Sequence, residues 1–121
     1  MRYRSRVLSD QPFSRRLADL LATPAFAIVW AVYVAASVAD CVTTQVALQS
    51  GLRERNPLAA GLYAHGGIGG LWAFKAAVVG LILIGLTLVP RRVAVVFGGF
   101  LAVTMALNVS DNLNALRSIG L

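Results

Sequence analysis

The stretch PAFAIVWAVYVAASVADCVTTQVALQ, residues 24–49, is 26 residues long and carries a single charged side chain, Asp40. An α-helix rises about 1.5 Å per residue, so this segment is long enough to cross the roughly 30 Å hydrocarbon core of a bilayer. Its ends are punctuated. Thr23-Pro24 supplies a cap and a proline at the first helical position, and Ser50-Gly51 supplies a stop.

Two further apolar segments of similar length follow, at about residues 68–89 and 93–116, separated only by Pro90-Arg91-Arg92. The expected fold is therefore an all-α membrane protein with three transmembrane helices. Residues 1–23 form a basic segment before the bundle of residues 24–121. Within that segment Phe13, Leu17, Leu20 and Leu21 recur at helical spacing while Arg15, Arg16 and Asp19 fall elsewhere on the wheel, as in an amphipathic helix lying in the headgroup plane. A cleaved signal peptide is the competing reading of a basic start followed by an apolar run. Asp40 directly before Cys41 disfavours a lipoprotein cleavage site.

Composition agrees. Of 121 residues, 58% are hydrophobic and 13% charged, with a mean hydropathy of +0.73, well beyond ordinary globular usage. Five of the eleven Lys and Arg residues, Arg2, Arg4, Arg6, Arg15 and Arg16, lie in the first sixteen positions. That clustering points to anionic lipid as the partner of these side chains. The high pI of about 10.8 comes without a recognition motif, so nucleic acid is not expected. One cysteine and one histidine allow neither an internal disulfide nor a transition-metal set, and no metal or cofactor is expected.

Basic residues near helix ends orient membrane helices. Arg91 and Arg92 join the N-terminal five on one side, against Arg53, Arg55 and Arg117 on the other. The expectation is a multi-pass protein of the cytoplasmic membrane with its N-terminus cytoplasmic and its C-terminus external. In the external loop, residues 51–67, Asn56-Pro57 reads as the cap and first residue of a short helix, and Glu54 has neighbouring arginines or Lys75 within reach. Small residues at packing intervals, Ala31/Ala35/Ala39, Ala76/Gly80 and Gly98/Ala102/Ala106, predict close helix approach.

The polar residues within the spans share a depth. Asp40 lies roughly 14 Å and Lys75 roughly 10 Å below the outer ends of their helices. Asp40, Thr43 and Thr44 share one helical face, and Thr104, Asn108 and Asp111 do likewise on the third helix. One polar cluster of Asp40, Thr43, Thr44, Lys75, Asn108 and Asp111 is expected, with an Asp40–Lys75 ion pair as its first candidate, since an unpaired charge near a helix centre costs about 2.5–3.5 kcal/mol. Three roles are open: a clasp fixing helix register, a proton or cation site on Asp40 and Asp111, or an anionic lipid or substrate site at Lys75.

The ordered set Asp40-x-x-Thr43-Thr44, Gly51-x-x-Glu54-x-Asn56-Pro57 and Lys75 resembles the pattern of a family of small prokaryotic membrane proteins catalogued as domain of unknown function 5658, over roughly residues 26–90. The resemblance implies a small multi-helix membrane protein in which Asp40, Glu54, Asn56 and Lys75 act together, and it implies no activity. No Gly-x-Ser-x-Gly, metal set or Ser/His pair at one depth is present, so no catalytic residue is expected. The leading expectation is a non-enzymatic accessory or assembly subunit binding a larger membrane complex or lipid. The alternative is a homo-oligomeric ion or small-solute transporter or channel with an Asp40/Lys75 polar site.

Overall fold

The computed structural model describes residues 11–54 and 57–121. Arg2, Arg4, Arg6, Arg55 and Asn56 lie outside the described residues. Among the described residues four helices follow in order: α1 Phe13–Leu21, α2 Pro24–Gln49, α3 Pro57–Leu86 and α4 Arg91–Ser118. The last three are long and apolar enough to cross a membrane.

Thr23 stands at the N-cap of α2, but its hydroxyl donates to the Asp19 carbonyl of α1 at 3.2 Å instead of capping α2. The C-terminal stop is a Schellman motif. Gly51 adopts φ 92°, the Leu52 N–H donates to Ala47 O at 2.9 Å and the Gly51 N–H donates to Leu48 O at 3.2 Å. The same device ends α4, where Gly120 has φ 84° and Leu121 N–H donates to Leu116 O at 3.0 Å.

α3 is two pieces joined at Gly67, whose φ of 64° and ψ of −154° belong to a region open essentially to glycine alone. The short helix over residues 57–66 begins at Pro57. It folds close to the start of the long one: a Cβ at Gly70 would stand 2.8 Å from the Leu62 carbonyl oxygen. The spans differ slightly from the hydropathy reading of 68–89 and 93–116. α3 ends at Leu86, because Thr87–Val89 continue the apolar run but form a turn into Pro90. α4 starts at Arg91, because two arginines lower hydropathy without hindering a first helical turn.

α2 and α4 are the closest-packed pair, and α3 leans on α2 with little contact to α4 beyond the turn. The inner face of α2 reads Phe26, Trp30, Tyr33, Ser37, Asp40, Cys41 and Thr44, all buried. Phe26 stacks on Trp30 with ring centroids 5.9 Å apart, and Trp30 packs against Tyr33 at 5.1 Å. These rings and Leu86, Ala94 and Ala102 form one core cluster, which Leu20 of α1 also joins. α1 therefore sits at the same end as the 87–90 turn. A smaller cluster of Cys41, Ala59 and Leu71 seats the short helix against α2 at the other end.

The small-residue rows behave differently from expectation. Only α4 uses its row inside the bundle, and there it is Ala94, Gly98 and Ala102, with Ala106 exposed. A Cβ on Gly98 would lie 3.0 Å from Val29 Cγ1, so the α2–α4 crossing is tight. Ala31 and Ala35 of α2, and Ala76 and Gly80 of α3, face outward, with Ala39 half-buried. On α2 the bulky aromatic row takes the inner face, which turns the small row out.

Candidate functional site

Asp40 lies on the inner face of α2 between the aromatic cluster and the Cys41 cluster, and is 4% exposed. α3 and α4 each bring one polar side chain to it. The Lys75 ammonium donates to Asp40 Oδ2 at 2.8 Å. From α4 the Asn112 amide donates to Asp40 Oδ1 at 3.0 Å, to Thr43 Oγ1 at 2.9 Å and to Thr44 Oγ1 at 3.3 Å. An amide has two N–H groups, so one is shared between acceptors.

Thr43 can accept because its own proton is directed back along α2, to the carbonyls of Ala39 at 2.9 Å and Asp40 at 3.1 Å. A second tie joins α3 to α2: Trp72 Nε1–H donates to Gln45 Oε1 at 2.9 Å. Ser37, one turn from Asp40 toward Tyr33, is also buried, and its hydroxyl has no partner among the described residues.

The structure thus brings together Asp40, Thr43, Thr44 and Lys75 and adds Asn112. Asn108 and Asp111 are exposed and stand outside the cluster. Helical phase explains the difference. Asn112 is 18 residues from Ala94, five whole turns, so it shares the face on which Ala94, Gly98 and Ala102 meet α2. From the centre of that face Asn108 is turned by about 80° and Asp111 by about 140° at 100° per residue. Thr104 goes with them, exposed, its hydroxyl bonded to Phe100 O at 2.9 Å. The small-residue row was the available signal for Asn112.

Pro57 opens α3, and Glu54 is half-buried in the connection before it. Lys75 is held by Asp40. His65 is exposed on the short helix. Arg15 is exposed on α1, and Arg16 is turned back to the Gln11 carbonyl at 3.0 Å. Chemically, the cluster is a carboxylate and an ammonium of zero summed charge, tied by an amide and two hydroxyls. Both carboxylate oxygens are occupied, so the arrangement is suited to holding three helices in one register at a depth where an isolated charge is disfavoured.

The chain belongs to the family described as a domain of unknown function (DUF5658), whose model matches residues 30–110, 81 of its 121 residues. The match spans Asp40, Lys75 and Asn108 and ends just before Asp111 and Asn112. Neither a curated protein nor a solved structure matches the chain.

Proposed function

With that membership as premise, we propose that this is a non-enzymatic accessory or assembly subunit that works by lateral association inside the membrane. The observation that carries the reading is the outward face of α4. Asn108 is exposed there with no hydrogen-bond partner among the described residues, four residues from the helix midpoint, and exposed Asp111 follows one turn later on the same face. Each residue rises about 1.5 Å, so both fall within the roughly 15 Å half-thickness of hydrocarbon. A polar row facing lipid at that depth is unsatisfied until another helix covers it, and interhelical hydrogen bonds from Asn are a known source of transmembrane association. The outward small-residue rows of α2 and α3 offer close approach beside it.

The protein sits in the cytoplasmic membrane with the 87–90 turn on the cytoplasmic side, where Arg15, Arg16, Arg91 and Arg92 gather, opposite Arg53 and Arg117. The test is purification of the tagged chain from its native membrane in mild detergent, followed by native mass determination. A stoichiometric complex with another membrane protein is expected; a bare monomer under several detergents overturns the reading.

A second reading has one observation in its favour. The unpartnered hydroxyl of Ser37 continues the polar line from Asp40 toward the middle of α2, as a homo-oligomeric ion pathway requires. Proteoliposome flux that Asp40→Ala abolishes, together with a pure homo-oligomer by mass, selects it; absence of flux under several ion gradients removes it.

A further inference from the structure

At the opposite end from the Asp40 cluster, α3 and α4 part as they leave the 87–90 turn. Between them opens an apolar cavity of about 350 Å³, lined by Ile82, Gly85, Leu86, Val89, Val93 and Phe97. That is within the roughly 300–1,000 Å³ of sites for small ligands. Two arginines stand next to its walls in the sequence. Arg91 and Arg92 fall between the lining residues Val89 and Val93, both exposed, and neither guanidinium makes an ion pair or hydrogen bond with a described residue. They occupy the first turn of α4, which contains no acidic residue. Leu20 anchors α1 at this same end, so exposed Arg15 adds to the positive charge there, with Asp19 the one acid of α1 against it.

We propose that this wedge binds one anionic phospholipid, an acyl chain lying along the cavity and the phosphate held between Arg91 and Arg92. The two halves of the site select the occupant. Free phosphate would use the arginines and leave the apolar walls bare, and a zwitterionic lipid would fill the walls but gain less from two neighbouring cations. Only an amphipath with net negative charge at the head uses both, since arginines at the membrane surface attract anionic headgroups. The site lies toward the other end of α4 from Asn108 and Asp111, on the same outward face, with Phe97 about 16 Å along the helix from Asn108.

The experiment incubates the purified full chain with equimolar dioleoyl phosphatidylglycerol and dioleoyl phosphatidylcholine and counts retained lipid by native mass spectrometry. One phosphatidylglycerol per chain is expected, preferred about tenfold or more. The double variant Arg91→Gln/Arg92→Gln reduces retention by at least tenfold, and Arg91→Lys/Arg92→Lys keeps most of it. Gly85→Leu reduces retention comparably: Gly85 lines the cavity, and a Cβ there meets no atom within 4 Å, so the new side chain starts in open space. Circular dichroism verifies that each variant keeps its helix. Retention that falls with the Gln variant but ignores Gly85→Leu reveals diffuse attraction and overturns the proposal. So does equal retention of the two lipids, or retention unchanged in all variants.

Discussion

α4 carries two polar rows at similar depth, and they meet opposite surroundings. Asn112 faces α2, where its amide serves Asp40, Thr43 and Thr44 at once. Asn108 and Asp111, within four residues of it, face away from the bundle. The residue types are alike, so the side chains themselves do not decide their roles. What decides is the phase of the helix, which is set by where Ala94, Gly98 and Ala102 let α4 approach α2. The inner row is hydrogen-bonded within the bundle. The outer row has no hydrogen-bond partner among the described residues, and it is the row that the proposed lateral association uses.

The contrast can be broken most strongly at Lys75. Lys75→Met leaves Asp40 buried without its counter-ion, and removing one partner of such a pair costs about 3–5 kcal/mol. The expected outcome is a loss of that size in reversible unfolding in micelles or bicelles, with most of it recovered in the double variant Asp40→Asn/Lys75→Met. A double variant no better than the single one would show that the two charges do not support each other, and the inner row would lose its structural role.

Asn112→Ala is expected to lower stability by about 1–2 kcal/mol, the range for an interhelical polar contact in model membrane helices. Asn108→Ala should stay within about 0.5 kcal/mol in the isolated chain, as at a surface site. Equal effects at 108 and 112 would erase the distinction between the rows. The smallest expected effect is at Ser37. Its hydroxyl is buried without a described partner, so Ser37→Ala should be neutral or slightly stabilising. A loss of 1 kcal/mol or more in the same assay, on the order of one lost hydrogen bond, would mean that the hydroxyl is engaged and would strengthen the ion-pathway reading.

Much of the fold was legible because its signals are local. Pro24 and Gly51 mark the ends of α2, and Pro57, Gly67 and Pro90 punctuate α3 and the turn after it. The Asp40–Lys75 pairing followed from depth alone: two opposite charges at one level in an apolar medium have few alternatives. The partner from α4 was harder to read. Residues 108–114 include Asn108, Ser110, Asp111, Asn112 and Asn114, so polar residues point in nearly every direction there and polarity cannot select a face. The apolar part of α4 can, because Gly98 lets Val29 approach so closely that even a Cβ there would crowd it at 3.0 Å. The outward Ala31/Ala35 row makes the related point that small residues permit close approach without saying to which neighbour. The Trp72–Gln45 bond had no signal at all, since its two residues meet only once the helices are placed.

The most direct test of lateral association through α4 compares Asn108→Leu with the unaltered chain, both extracted from native membranes in the same mild detergent and weighed intact. Asn108→Leu is expected to lose its associated subunit while helix content and unfolding of the chain itself are unchanged. An assembled mass identical to that of the unaltered chain would contradict it, because the outward row of α4 would then not be where the protein is held.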